Sequence, residues 1–234
     1  MSLADQASSV AVVTGLLAEA RCLRGLKVRI ACSGGSAERA RAEAMRLIAD
    51  GAIAVVSFGL AGGLAPELRP GDLVLPETVR LPEGQSIATD PAWRQRLSSR
   101  LEAGGVSVCG GTLAGSERVA ATPSDKRTLF GTTGARAVDM ESHAVAQVTR
   151  DAGIPFVVIR AIADPADRVI PQPALEALRP DGRIRIPAVL GGVIRQPGVL
   201  IALVRLGRDT AIALATLRRA AALSGAFLAY ERGV

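Results

Sequence analysis

Short apolar runs alternate along the chain with longer segments in which apolar residues recur at helical spacing. Runs rich in valine, isoleucine and alanine, bounded by glycine, serine or charged residues, predict β-strands. The predicted strands are Val10–Thr14, Val28–Ser33, Ala52–Phe58, Asp72–Leu75, Val106–Val108 and Phe156–Ala163. Several of these runs are apolar without alternation, which is typical of strands covered on both faces of a sheet.

Two segments have the pattern of amphipathic helices. The segment Ser36–Asp50 starts with Ser36 as an N-cap, and Asp139–Asp151 is followed by Gly153 as a C-cap with Pro155 beyond it. The apolar face of the first helix consists of Ala40, Ala44, Leu47 and Ile48. This alternation of strands and helices predicts an α/β fold with a central mixed sheet flanked by helices.

Residues 1–234 are expected to form a single domain. A chain of 234 residues can bury a core without the help of a metal ion or a disulfide. Val10–Leu17 is interpreted as a buried first strand leading into a loop, because no positive residue precedes it as in a signal peptide. Leu81–Trp93 has few periodic apolar positions and predicts a surface loop.

The net charge of +6 is unevenly distributed. Residues 179–234 contain nine arginines and three acids, so the remainder of the chain has no net charge. These residues are also rich in Leu, Ile, Val and Ala. A segment both basic and apolar favours a membrane surface or an apolar partner. A terminal helix with a solvated arginine face explains it equally well.

Composition excludes several classes of protein and site. Three widely spaced cysteines and one histidine (His143) predict neither a disulfide framework nor a metal site, and no cofactor is expected. Aromatic residues make up 3% of the chain and are not interleaved with arginine, so no nucleic-acid partner is expected. The apolar stretch Ala188–Leu206 is split at Arg195–Pro197, and neither half is long enough to span a bilayer. We therefore expect a cytoplasmic protein, peripheral to the inner face of the membrane.

Three short motifs carry candidate chemistry. Ser57–Leu64 is glycine-rich and follows an apolar strand, Val138–Ser142 lies at a predicted helix start, and Ala163–Asp167 follows another strand. Ligands of α/β sheets bind beyond the carboxyl ends of strands, where Asp164 is expected to lie. Each motif has an ordinary structural explanation as well: a tight turn, a complement to the helix dipole, and an Asp-Pro turn.

As an ordered set, these motifs resemble the purine nucleoside phosphorylase/nucleosidase superfamily, particularly its methylthioadenosine/S-adenosylhomocysteine nucleosidases. The matching pieces are Thr14–Glu19, Gly59–Pro66, Leu68–Leu75, Val138–Glu141 and Pro155–Asp164. The Leu-Ala-Gly-Gly-Leu loop and the Asp-Met-Glu-Ser-His motif resemble the hopanoid-associated phosphorylase group, which is implicated in removing adenine from adenosylhopane in hopanoid biosynthesis.

The resemblance implies that the single domain of residues 1–234 is nucleoside phosphorylase-like, and it implies roles for particular residues. Asp164 matches the acid that protonates the departing purine at N7, and its pKa must be raised for that role near pH 7. Glu141 matches the residue that holds the ribose hydroxyls and is expected to be ionised. Met140 matches an apolar residue that packs beside the sugar. The loop residues implied in substrate binding are Gly59, Leu60, Ala61 and Gly62.

The sequence departs from the family pattern at positions that bear on the attacking group. Glu19 is displaced by about one residue from the glutamate that orients water in hydrolytic members, and Leu60 stands where many relatives have Ser or Thr. Ser33 offers an alternative hydrogen-bond donor and Arg21 a phosphate partner. The purine-stacking region corresponds to Ser116 and Val119, where relatives often place Phe. Water and phosphate as a co-substrate both stay open.

Residues 168–206 are predicted to be an apolar and basic insertion before the C-terminal helix. Such a segment suits a nucleoside attached to a polycyclic lipid, and an oligomer interface or an extension of the core is an equal alternative. Three functions follow: cleavage of adenosylhopane to adenine and ribosylhopane or its phosphate, cleavage of methylthioadenosine or S-adenosylhomocysteine, and non-catalytic binding of a nucleoside or lipid. A homo-oligomer is expected, with membrane contact through residues 179–234.

Overall fold

One mixed sheet of ten strands organises the molecule. The computed structural model describes residues 10–177, 182, 183, 185 and 197–231. The strands are β1 Val10–Thr14, β2 Arg29–Cys32, β3 Ala54–Gly63, β4 Leu73–Val74, β5 Thr78–Arg80, β6 Ser86–Ala88, β7 Val108–Cys109, β8 Thr112–Gly115, β9 Ala137–Asp139 and β10 Phe156–Asp164. Their order in the sheet is β6-β5-β8-β9-β3-β10-β4-β7, and β2 joins through β1.

The long strand β3 is the centre of the sheet. Its residues pair with the parallel strand β10 along one side, from Val55 to Gly62. On the other side β3 pairs first with the parallel strand β1 and then, at Gly62 and Gly63, with the antiparallel strand β9. Three other strands therefore meet at β3, and the segments that follow β1, β9 and β10 are brought close together.

Helices cover both faces of the sheet. They are α1 Leu17–Cys22, α2 Ala37–Ala49, α3 Pro91–Ala103, α4 Pro123–Thr133, α5 Ser142–Ala152, α6 Gln172–Ala177 and α7 Leu200–Leu223. One core cluster packs Phe58 and Ile159 against Trp93 of α3 and Leu217 of α7. The second packs alternate residues of the same strands against α2 and α5. Because successive strand residues point to opposite faces and both faces are covered, the central strands are mostly apolar.

The predicted α/β class with a mixed central sheet is confirmed. All six predicted strands and the first helix are present, and Ser36 caps that helix by accepting a hydrogen bond from the N–H of Arg39. The short strands β5, β6, β8 and β9 and the helices α1, α3 and α4 have no counterpart in the predictions. Strands of three or four residues carry too little periodicity to be recognised.

Two predictions about local structure are wrong. Leu81–Trp93 is not a surface loop: it contains β6 and the start of α3, and Trp93 is fully buried, with its indole N–H donating to the carbonyl of Leu228. The helix predicted from Asp139 begins at Ser142 because Asp139 ends β9. Its C-cap at Gly153 is confirmed by a left-handed backbone conformation there.

The predicted insertion 168–206 lies partly outside the described residues, which omit 178–181, 184 and 186–196. The insertion and the single-domain boundaries stay predictions. In the part of the chain that is described, no helix is long and apolar enough to cross a membrane. The same residues contain no group of three or more His, Cys, Asp or Glu side chains that could hold a metal ion.

Candidate active site

A cavity of about 280 Å³ lies where β3 and β10 end and where the chain leaves β1 and β9. Helices α6 and α7 close one side of it. The described lining residues are Gly15, Leu16, Glu19, Gly35, Leu60, Ala61, Gly62, Arg118, Val119, Ala120, Val138, Asp139, Met140, Glu141, Ala163, Asp164, Ile170, Ala174, Leu175, Leu206 and Thr210. The three residues predicted to be catalytic, from distant parts of the sequence, therefore meet in one cavity.

Asp164 is the last residue of β10 and is almost completely buried. One of its carboxylate oxygens, Oδ2, lies 2.7 Å from Nζ of Lys126 on α4. Burial raises the pKa of Asp164 to about 6; Lys126 lowers it and the negative charge of Asp209 raises it. The pKa of Asp164 is thus raised, as the role of a general acid near neutral pH requires.

Glu141 lies between β9 and α5 and faces the same cavity. Its Oε2 is 3.3 Å from Nη2 of Arg160. Burial raises the pKa of Glu141 to about 8; Arg160 lowers it, whereas Asp139 and Glu19 raise it. The expectation that Glu141 is ionised is therefore not met in this arrangement, since at pH 7 most of it carries a proton.

Behind Glu141, the guanidinium of Arg160 joins several buried polar groups. It forms an ion pair with Asp139, in which Nε lies 2.6 Å from Oδ2. Arg160 also donates hydrogen bonds to the hydroxyls of Ser57 at 2.8 Å and Ser142 at 3.2 Å, and Ser142 donates in turn to Asp139. Asp139 accepts the N–H of Ser142, which fixes the start of α5. This network holds the backbone on which Glu141 is carried.

Neither Arg160 nor Asp139 was predicted as a site residue. The available signal is Arg160 itself, a charged residue inside the otherwise apolar strand β10. Charged side chains are almost never fully buried unless they are paired, so an arginine at the centre of a buried strand indicates acidic partners nearby. The sequence does not indicate which acids they are, because Asp139 is on another strand.

Glu19 is on α1 and is buried. Its carboxylate accepts the N–H groups of Gly15 and Leu16 at 2.8 Å and of Leu60 at 2.9 Å. Burial raises its pKa, while Arg160 and the three backbone N–H groups lower it. Glu19 therefore ties the loop after β1 to the end of β3 and lies in the cavity beside Glu141.

Gly15, after β1, and Gly59 and Gly62, in the last part of β3, make room for the carboxylates. A Cβ at Gly59 would lie 2.6 Å from Oε2 of Glu19 and would also overlap Arg160. A Cβ at Gly15 would lie 2.8 Å from Oε1 of Glu141, and one at Gly62 would lie 3.1 Å from Oδ2 of Asp164. Leu60, Ala61 and Gly62 line the cavity, whereas Gly59 lies behind it.

Other predicted binding residues divide into two groups. Met140 and Val119 line the cavity. The hydroxyl of Ser33 donates to the carbonyl of Thr14, and that of Ser116 donates to the carbonyl of Arg118. Neither serine is among the described lining residues, and both hydroxyls are directed at nearby backbone. The exposed side chain of Arg21 is not among the described lining residues either.

Part of the lining comes from the segment 168–206, which was predicted as an apolar and basic insertion, although none of its residues was predicted individually to line the cavity. The side of the cavity formed by α6, α7 and the segment before α6 is largely apolar, and we call it the apolar wall. The apolar wall consists of Ile170, Ala174, Leu175 and Leu206. No short motif marks these residues, because they come from two helices that meet only in the folded chain.

The chain is similar in sequence to a known family and to a curated protein. Residues 6–181 match the family model of the Phosphorylase superfamily. A 5'-methylthioadenosine/S-adenosylhomocysteine nucleosidase from Actinobacillus succinogenes is 30% identical over an alignment 139 positions long, and the alignment covers 48% of this chain. The matched segment spans 56% of that relative, or about half its length.

Solved structures of low sequence identity share the fold. The 5'-methylthioadenosine/S-adenosylhomocysteine nucleosidase of Neisseria meningitidis, in complex with methylthio-immucillin-A, is 19% identical with a TM-score of 0.68, covering 92% of this chain and 97% of that one. Futalosine hydrolase of Helicobacter pylori is 18% identical with a TM-score of 0.66, covering 88% and 99%. Since the family model matches well over half of the sequence, the chain belongs to the Phosphorylase superfamily.

Proposed function

We propose that this protein cleaves the N-ribosyl bond of an adenine nucleoside, with Asp164 as general acid. The observation that carries the proposal is that Asp164 and Glu141, two buried carboxyl groups with raised pKa values, face one cavity. As the bond from C1' to the purine breaks, its electron pair goes to the purine and Asp164 gives its proton to N7. The positive charge left on the ribose is stabilised by carboxylates.

Glu141 supplies the second carboxyl group of this reaction. Its position beside Arg160 suits a group that binds ribose hydroxyls and becomes ionised as the sugar gains positive charge. Met140, which follows β9 directly, lines the cavity next to it. Two carboxyl groups held in different environments provide the two protonation states that glycosidic cleavage needs.

The charge of the cavity favours water over phosphate as the attacking group. Glu19, Glu141 and Asp164 all line it, and Arg118 is the one basic residue among the described lining residues. Leu60 provides no hydroxyl where a phosphate oxygen would need a donor. A phosphate dianion would therefore meet several acids and one cation, whereas neutral water can donate to Glu19.

The apolar wall favours a nucleoside with a large apolar group on the ribose, so adenosylhopane is the preferred substrate class. Leu175 and Leu206 of that wall belong to α6 and α7, and both lie within the segment 168–206 predicted to be apolar and basic. Methylthioadenosine and S-adenosylhomocysteine carry much smaller apolar groups and are the second candidate substrates. Burying a substrate against aliphatic side chains stabilises the complex by about 0.8 kcal/mol for each CH₂ group removed from water.

The decisive experiment measures purine release from adenosylhopane, methylthioadenosine and S-adenosylhomocysteine, each with and without phosphate. We expect the highest kcat/KM for adenosylhopane and a free ribosyl hydroxyl in the product. Faster turnover of the soluble thioadenosines would instead favour the second candidate, and release that requires phosphate would identify a phosphorylase.

Asp164→Asn separates an enzyme from a non-catalytic binding protein. An amide cannot donate the same proton, so purine release should fall by about 10²–10⁴-fold. Asp167→Asn is the matched control, because Asp167 is exposed on the following turn. Equal activity of Asp164→Asn and the wild type would remove Asp164 from the mechanism.

The exposed face of α7 suits contact with an anionic membrane surface, from which a lipid-linked substrate would enter. Leu200, Ile201 and Val204 are 49%, 66% and 63% exposed, and the exposed residues Arg205 and Arg208 lie beside them. Apolar residues with flanking arginines are typical of helices that lie in a membrane interface.

Sedimentation with vesicles of phosphatidylcholine and phosphatidylglycerol tests this contact. The double variant Ile201→Ser/Val204→Ser should lose binding, whereas Ile30→Ser changes an exposed isoleucine on β2 and should keep it. Equal binding by all three proteins would exclude α7 as the contact. Sedimentation equilibrium of the same proteins tests the predicted homo-oligomer.

A further inference from the structure

Lys126 is fully buried, which is unusual for a lysine. Its ammonium group lies 2.7 Å from Oδ2 of Asp164. It also donates to three carbonyl groups, those of Asp164 at 3.1 Å, Pro165 at 2.8 Å and Arg168 at 3.2 Å. Lys126 therefore reaches from α4 to the turn that follows β10 and binds both its backbone and its acidic side chain.

These contacts determine which oxygen of Asp164 can carry a proton. The ammonium group of Lys126 has no acceptor, so Oδ2 must accept its hydrogen bond. A proton on the carboxyl group is then placed on Oδ1. The three carbonyl contacts fix the turn from Asp164 to Arg168, so the carboxyl group has little freedom to rotate away.

We propose that Lys126 is a positioning residue, which orients the Asp164 carboxyl group and sets the pH range in which that group holds its proton. The proposal deepens the proposed function and rests on it, since Asp164 is assigned there as the general acid. The polar partners of the Lys126 ammonium group in the described structure are the carboxylate of Asp164 and three backbone carbonyls, and Lys126 is not one of the described lining residues.

The charged groups around Asp164 come from three elements. Lys126 faces it from α4, Asp209 from α7, and Arg168 from the turn after β10, where its Nε lies 2.9 Å from Oδ2 of Asp209. Burial raises the pKa of Asp164, Lys126 lowers it, and Asp209 raises it. Removing the cation must therefore move the titration of Asp164 to higher pH, and removing the Asp209 charge must move it to lower pH.

Dependence of kcat/KM on pH tests the proposal in the full-length enzyme. In Lys126→Met, the break near pH 6 that reports Asp164 should move up by about 1–3 pH units, the range for loss of an adjacent opposite charge. Lys126→Arg keeps the charge and should leave the break near its wild-type position even where the rate falls. Asp209→Asn should move it down.

A merely structural role would lower the rate of Lys126→Met equally at all pH values. A break that stays at its wild-type pH in Lys126→Met, while the rate falls, would therefore overturn the proposal. The comparison of breaks does not depend on how much of the variant is folded, because inactive protein scales the whole profile.

A second measurement does not need catalysis and separates failure of this proposal from failure of the proposed function. A folded-state pKa raised above the unfolded value makes Asp164 contribute stability that is lost as the pH rises through about 6. In Lys126→Met that loss should be larger, so the gap in Tm from the wild type should widen between pH 5 and pH 8. In an Asp164→Asn background the same gap should stay constant. A gap independent of pH in both backgrounds would overturn the proposal, whatever the enzyme's substrate is.

Discussion

The two candidate catalytic acids, Asp164 and Glu141, are both buried, and each is paired with a buried cation. The two cations differ in how many acids they contact. The ammonium group of Lys126 forms an ion pair with one carboxyl group, and its other hydrogen-bond partners are carbonyl oxygens. Arg160 lies between Glu141 and Asp139 and also interacts with Glu19. A dedicated cation offsets much of the cost of burying its acid, whereas a shared one cannot neutralise every acid around it.

The pKa values reflect this difference. Asp164, with its own cation, has a pKa of about 6, and Glu141, which shares Arg160, has a pKa of about 8. Burial is the largest cause of both shifts. The number of acids that share a buried cation, as well as the depth of burial, therefore determines the pKa values of the acids in this site.

Removing the shared cation, Arg160, should have the largest effect on stability. Arg160→Met leaves buried acids without their cation and should lower the free energy of unfolding by about 3–5 kcal/mol at pH 8. The loss should be smaller at pH 5, where Glu141 is protonated and needs no partner. Urea denaturation measures both values.

Arg150→Met is the control for that variant, because Arg150 is exposed and paired with its neighbour Asp151. It should change the free energy of unfolding by less than about 0.5 kcal/mol. A decrease of less than about 1 kcal/mol in the free energy of unfolding of Arg160→Met at pH 8 would contradict a stabilising role for the shared cation.

Crowding the shared site should have an intermediate effect. In Gly59→Ala, the added methyl group overlaps Arg160 and Glu19, so we expect the free energy of unfolding to fall by about 1–3 kcal/mol. Gly131→Ala in α4 adds the same group with nothing within 4 Å and should be neutral or slightly stabilising. If thermal denaturation gives the same Tm for both variants, the close packing around Gly59 is not significant.

The pH dependence of the wild type should show the smallest effect, about tenfold per pH unit outside a plateau. If Asp164 must be protonated and Glu141 ionised, kcat/KM rises with pH up to about 6, is level to about 8 and then falls. Rates of purine release between pH 4.5 and 9.5 measure this. Glu141→Gln should abolish the change near pH 8, and a flat profile in the wild type would show that neither acid titrates in this range.

Much of the fold was predictable because its signals are local. The long buried strands β1, β3 and β10 are mostly apolar runs, although β10 is interrupted by Arg160. Ser36 and Gly153 mark helix ends, Ser36 by its side-chain hydrogen bond and Gly153 by its left-handed backbone conformation. The strand β5 and the helix α4 were missed. Thr78–Arg80 is a strand because β6 and β8 pair with it, so tertiary contacts decide its structure more than local pattern does. The helix α4, by contrast, does have local signals, with Thr122 and Asp125 forming a capping box and Gly134 following its end.

The site was predictable where a motif carries the side chain and its backbone together. Asp164 is the last residue of β10, and Met140 and Glu141 are the first two residues after β9, so their meeting at one edge of the sheet follows from topology. Glu19 is also in the cavity, although its role stays a prediction. Ser33 and Ser116 could not be judged from sequence, since the direction of a hydroxyl depends on the nearest free acceptor.

By itself, the sequence determined the α/β class, the strand ends that carry the acids, and the location of the excess positive charge in residues 179–234. Tertiary structure alone decided that Lys126 pairs with Asp164, that Arg160 is shared among acids, and which residues of the segment 168–206 line the cavity. The physical reason is that strand and helix patterns arise from neighbouring residues. A pKa, by contrast, depends on burial and on charges that the chain brings together from far apart.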